Sequence, residues 1–232
     1  MPSIQDQEFG QIKVHRSKLA KYVRLKINQR GELSASLPLR APLKLVKQLL
    51  EQSRDELRGI VSEQKSKTSL FTHEMSIGKS HRLFIEHSSV SVPQKAVVGQ
   101  SILVQLPLET DYSDTIAQEF IRNTVHDVLK KQARAYLPRR VSYLAEKYGF
   151  KISGVRFNNA KTRWGSCSSV GSINLNIALM QLPYELIDYV IVHELSHTEY
   201  LDHSRSFWKL VESMSPDYKI HRRDLKKYHP YI

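Results

Sequence analysis

The 232-residue chain is short of cysteine, of acidic side chains and of long apolar runs, and each shortage removes a class of protein. Cys167 is the single cysteine, so no internal disulfide framework can form. No apolar stretch approaches the roughly 20 residues that a membrane-crossing helix needs. The opening residues Met1 to Glu8 are polar and lack the apolar core of a signal peptide, so the expected location is cytoplasmic. Asp and Glu number 23 against 35 Lys and Arg, a net charge of +12. From Lys151 onward the net charge is +3, which leaves +9 on the first 150 residues. That excess reads first as a solvated basic surface, because no nucleic-acid motif accompanies it. Attraction of nucleic acid or another polyanion to the basic N-terminal half is the second reading. What is present is an ordinary globular composition, 41% hydrophobic and 25% charged, long enough for one large domain or two small ones.

The pattern along the chain is that of an α+β protein. Apolar and polar residues alternate over Gln11 to Arg16, Tyr22 to Asn28 and Glu32 to Leu37, which predicts strands, with Gln29-Arg30-Gly31 as a hairpin turn. A helix is expected from Pro42 to about Lys65, then a loop from Gln64 to Ser69. Met75 to Lys79, His81 to His87, Val90 to Val92 and Ser101 to Leu106 form a second β-rich block. Glu109 to Asp114 marks a boundary, so the expected domains are 1–110, β-rich with one helix, and 111–232, mainly helical with a small sheet. Thr115 with Gln118 has the form of a capping box opening a long helix to Tyr136, and Pro138 restarts it towards Gly149. Lys151 to Phe157 and Ser172 to Asn176 read as strands, Trp164-Gly165-Ser166 as part of a turn, and Pro183 as a helix start. A last basic helix is expected from Tyr218 to Tyr228, and no internal repeat is visible.

The chemistry concentrates in His193-Glu194-Leu195-Ser196-His197, followed by His203. This is H-E-x-x-H with a third histidine six residues on. With this chain's histidine and glutamate content, H-E-x-x-H arises by chance about once in forty such chains, and with the later histidine roughly once in a thousand. Residues four apart share a helix face, so His193 and His197 can offer two imidazoles to one ion. Glu194 lies about 100° round the helix, where it can take a proton from water. The apolar run Tyr189 to Val192 leads into the motif, so the helix is expected to be buried, and buried polar groups need partners. A catalytic zinc site takes three protein ligands and keeps one position open. His203 is the third candidate if the chain turns after His197, with Ser204 capping a new helix through Phe207 and Trp208. Glu212 on that helix is the acidic alternative.

Together with Lys161-Thr162-Arg163-Trp164-Gly165-Ser166-Cys167, Ile173-Asn174-Leu175-Asn176, Phe207-Trp208 and Pro216-Asp217-Tyr218, this segment resembles the YgjP-like predicted metal-dependent hydrolases, which are similar to the SprT-like and WLM metalloproteases. The motif-bearing resemblance covers about 115 to 229. It implies a minimal zincin-like fold with a small sheet against an active-site helix, His193, His197 and His203 as zinc ligands, and Glu194 as the catalytic residue. The H-E-x-x-H…H spacing is also that of metzincins, which carry glycine where this chain has Tyr200.

The expected function is therefore a zinc-dependent hydrolase acting on a peptide or protein, with Glu194 as general base. Other divalent transition metals suit the same imidazoles. The alternative is a nucleic-acid-associated binding protein with a structural or vestigial metal site. Arg163 and Tyr200 are candidates to stabilise an oxyanion, and Cys167 is either a buried small hydrophobe or a fourth ligand. Met214 reads as a core methionine, and His221 and His229 as solvated.

Overall fold

A computed structural model describes residues 3–27, 31–67 and 70–232; for 62–67 it describes the backbone alone. The chain forms two compact units, Met1–Leu70 and Phe71–Ile232. In the first, β1 (Ser3–Asp6), β2 (Gly10–Ser17), β3 (Arg24–Ile27) and β4 (Leu33–Pro38) make a sheet in the order β1-β2-β4-β3. The β2–β4 pair is parallel and the two outer pairs are antiparallel. Strict alternation puts Ile12, Val14, Leu33, Ala35 and Leu37 on one face, buried with Val46 and Leu50 of α1 (Lys44–Gln52) and Leu57 and Val61 of α2 (Arg54–Lys67). β1 was not expected, since its only buried apolar residue is Ile4. The helix expected from Pro42 to Lys65 is interrupted at Ser53, whose N–H donates to the Leu49 carbonyl while its own carbonyl accepts from Leu57. Arg54 opens the second helix within ion pairs to Asp6, Glu8 and Glu51. The hydrogen bond from Arg54 holds the Asp6 carboxyl down at about 2. The Gln29-Arg30 part of the expected turn lies outside the described residues, as do Asn28, Thr68 and Ser69.

The second unit opens with β5 (Met75–Ile77), β6 (His81–Ser88), β7 (Gln94–Val98) and β8 (Ser101–Pro107), in the order β5-β6-β8-β7. The strand expected over Val90 to Val92 is β7 instead. The long helix α3 (Thr115–Tyr148) runs unbroken through Pro138 and ends at Gly149, whose φ of +77° is the left-handed cap expected there. Its start differs from expectation. Asp114 is the N-cap, accepting from the Ile116 and Ala117 N–H groups, while the Gln118 amide bonds Phe71 and the Tyr112 carbonyl. β9 (Gly154–Asn158), β10 (Gly165–Cys167) and β11 (Ser172–Asn176) form a third sheet, order β10-β11-β9. A 3-10 turn (Ile177–Gln181) leads to α4 (Tyr184–Ser196), α5 (Arg205–Met214) and α6 (Tyr218–Leu225). The expected last helix thus stops three residues short of Tyr228.

The first two sheets repeat one topology. Each is a hairpin whose second strand pairs in parallel with the fourth, which pairs back on the third. Both parallel pairs close on serine opposite proline, Ser17 with Pro38 and Ser88 with Pro107. The repeat is invisible in sequence because little but the alternation is kept: Ile12, Val14, Leu33, Ala35 and Leu37 correspond to Leu83, Ile85, Ile102, Val104 and Leu106. The latter five belong to the same core as Ile121, Val125 and Leu129 of α3. The compact units therefore divide at 70/71, whereas the sequence placed a boundary near 110. Among the described residues, no helix is long and apolar enough to cross a membrane.

Candidate metal centre

α4 is apolar on most of its circumference, with Leu186, Ile187, Val190, Ile191 and Leu195 in the core, as befits a helix buried on nearly all sides. Arg140 of α3 grips it through a two-pronged ion pair with Asp188, 2.7 Å from Nε to Oδ1 and 2.5 Å from Nη2 to Oδ2. The last turn of α4 carries His193 and Glu194, and His197 is its C-terminal cap. The chain then tightens: the N–H groups of His197, Thr198 and Glu199 donate three residues back, to Glu194, Leu195 and Ser196. The corner needs no left-handed residue, since among the described non-glycine residues only Glu74 has a positive φ. Tyr200 therefore replaces glycine without strain. Ser204 caps α5 as expected, its hydroxyl accepting from the Phe207 N–H, and His203 sits just before it.

The result brings His193, His197 and His203 together. Their candidate ligand nitrogens all lie within 4.8 Å of one another, and the His203 and His193 Nε2 atoms are 3.1 Å apart. Tetrahedral zinc with Zn–N bonds of 2.0–2.1 Å separates its nitrogen ligands by about 3.3 Å, so the spacing fits such an ion. His197 Nδ1 lies 2.9 Å from the Tyr200 carbonyl, which can only accept, so Nδ1 is the donor there and Nε2 is the nitrogen left for a metal. Burial, then the neighbouring His197 and His203, pushes His193 down to about 3, so its ring is neutral at physiological pH and free to ligate. Its Nδ1 is buried with no hydrogen-bond partner among the described residues. His203, the exposed member, is held by stacking: Trp208 lies 5.6 Å away at 24°, and Tyr218 in turn stacks on Trp208 at 5.4 Å. The Arg222 guanidinium also sits over Trp208, at 4.8 Å.

Glu194 is 6% exposed and faces β10. A Cβ built on Gly165 would stand 2.7 Å from Glu194 Cγ and Oε1, so the glycine of the Lys161 to Cys167 motif makes room for this side chain. Burial drives the Glu194 carboxyl up to about 8, against the opposing charge of Arg163. The loop before β10 is pinned by the fully buried Asn176, whose two amide protons are shared among the carbonyls of Ala160, Arg163 and Pro230.

Among the described residues the histidine trio is joined by no other candidate ligand. Glu212 is exposed and faces Lys219, 4.0 Å away. Cys167 is half-buried on β10, its thiol raised by burial, and does not enter the cluster. Arg163 and Tyr200 are both exposed. His221, expected to be solvated, is half-buried with its ring 6.0 Å from that of Tyr189. The sequence did not signal the Gly165–Glu194 contact, the Trp208 stack or the Tyr200 carbonyl. Trp208, five residues after His203 in the first turn of a capped helix, was the one with a readable cue.

Residues 21–228 match the YgjP-like, metallopeptidase domain. The chain belongs to the YgjP-like family. Family membership makes this YgjP-like chain a metal-dependent peptidase in the coarse sense, and implies a metal and a peptide or protein substrate. The structure of the metallopeptidase zymogen of Pyrococcus abyssi abylysin is similar over 38% of this chain and 91% of its own, at 29% identity and a TM-score of 0.35. The metallopeptidase zymogen of Methanocaldococcus jannaschii jannalysin is similar over 37% and 92%, at 18% identity and a TM-score of 0.32. A comparison with curated proteins found no match.

Proposed function

We propose that this protein is a zinc-dependent peptidase in which His193, His197 and His203 hold the metal and Glu194 is the general base, on a zincin-like scaffold formed by the third sheet and α4. The observation that carries this reading is the convergence of three imidazoles beside one buried carboxyl. A zinc ion held by these residues would lower the pKa of water towards neutrality and polarise a carbonyl; manganese, cobalt or nickel are the other metals these ligands suit. The protein's own residues do the rest. Glu194, buried against β10, accepts in its ionised form a proton from the attacking water and returns it to the leaving amine. Gly165 and the strand β10 fix where that carboxyl can stand. Tyr200, through its carbonyl, and Trp208, through its ring, orient His197 and His203.

Glu194→Gln keeps the side chain's size and removes its basicity. The variant is expected to bind metal in wild-type amount and to lose 100- to 10,000-fold in turnover, the usual range for general acid–base catalysis. Metal content by elemental analysis and a proteome-wide cleavage screen against wild type check both halves. Wild-type cleavage by Glu194→Gln would remove the general-base role.

A further inference from the structure

The outward face of the first sheet is a basic platform. Register places Lys13, Ser34 and Lys26 side by side across β2, β4 and β3, and His15, Ser36 and Arg24 in the next row. The opposite face holds the buried apolar residues, so these six point away from the core. Lys13, His15, Arg24 and Lys26 are exposed, and the two serines are half-buried between them. With strands about 4.8 Å apart and 3.3 Å per residue, the cations span about 10 Å across the sheet in rows about 7 Å apart. Ser3, Gln5 and Gln11 extend the polar face over β1 and β2. No acidic side chain from the described strand residues lies on it, and Glu32, just before β4, is already engaged. The connection between β2 and β3 adds exposed Lys18 and Lys21, with Tyr22 71% exposed.

The repeated topology supplies an internal control. At the matching positions of the second sheet, Lys13, His15, Arg24, Lys26, Ser34 and Ser36 become Phe84, Glu86, Gln94, Ala96, Leu103 and Gln105. The scaffold therefore does not demand cations there. Clustering like charges on a sheet works against stability, so the first sheet's face carries a cost that its twin does not.

We propose that this face binds single-stranded nucleic acid through its phosphate backbone, without reading base sequence. Lysine and arginine neutralise phosphates, serine, glutamine and histidine offer hydrogen bonds to phosphate and sugar, and Tyr22 offers a ring on which a base can stack. The rows formed by Lys13, Ser34 and Lys26 and by His15, Ser36 and Arg24 carry no apolar side chain, and Leu19 of the β2–β3 connection, 92% exposed, is a single one, whereas an interfacial element enters a lipid surface with a whole apolar face. DNA and RNA share the backbone chemistry, and both are expected to bind. The inference is independent of the metal centre.

The test is fluorescence anisotropy of the full-length protein with labelled 15-nucleotide oligo-dT and oligo-U, between 50 and 200 mM KCl. Each phosphate neutralised on a single strand contributes about −0.7 to the slope of log K against log salt. Four contacts make the slope about −3 and the loss over that range about 50-fold. Lys13→Gln/Arg24→Gln/Lys26→Gln, three exposed changes that leave the core intact, should flatten the slope by about 2. Tyr22→Ala should weaken binding about tenfold. The control is Lys130→Gln/Lys131→Gln/Arg134→Gln, in a separate basic depression of about 470 Å3 lined by α3 and β7, and it should bind as wild type. His197→Ala should also bind as wild type, which separates this inference from the metal reading. The proposal is overturned if wild type does not bind at 50 mM KCl or if the α3 variant, rather than the sheet variant, loses binding. It is equally overturned if polyglutamate or phosphatidylserine vesicles compete as well as the oligonucleotide does at equal charge.

Discussion

Gly165 has no side chain because Glu194 occupies the space one would need. A methyl group there would sit 2.7 Å from the carboxylate arm, well inside contact distance, and the buried Glu194 would have to move. Gly165→Ala is therefore expected to keep the metal, cost about 1–3 kcal/mol in urea unfolding, and lower turnover about 100-fold, the scale of a 1 Å misplacement of a reacting group. Wild-type turnover in that variant would show that the contact does not set the carboxylate's position. At this scale the sequence was most legible where spacing carries geometry. His193 and His197 follow from the four-residue repeat of a helix face, and Ser204 as the cap of α5 follows from side-chain chemistry. The Tyr200 carbonyl was hidden because a backbone acceptor has no residue signature, and the role of Gly165 was hidden because it depends on a helix some thirty residues later in the chain.

Among the elements, alternation exposed β2, β4, β6 and β8, whose buried faces are cleanly apolar. It failed for β7, all of whose residues are exposed, and for β10, three half-buried residues of small size. The interruption at Ser53 was missed because the apolar spacing continues across it from Leu50 to Leu57. The compact units divide at 70/71 rather than near 110 for a related reason: Glu109 to Asp114 is polar and turn-rich, yet the strands before it share a core with α3. Deleting β5 to β8 would bare Ile121, Val125 and Leu129, each fully buried in the intact fold. A fragment of residues 71–232 is thus expected to unfold cooperatively in urea, whereas 111–232 should show no cooperative transition. A cooperative transition of 111–232 would contradict the assignment of β5–β8 to the α3 core.

In the whole molecule, one topology repeated in two four-stranded sheets carries two different surfaces. The first presents exposed cations, and the second presents neutral and apolar groups with one acid at the same positions. The candidate chemistry lies in the second unit, on α4 and the loop that follows it. There a family of metallopeptidase domains, a histidine trio and a buried glutamate meet in one chain. The trio is proposed to hold one metal ion. Zinc titration of wild type and of His193→Ala, His197→Ala and His203→Ala, read by elemental analysis after gel filtration, tests it most directly. One zinc per wild-type chain and loss of stable zinc in each folded variant are expected; one full zinc equivalent retained by any of the three would rule out the shared site.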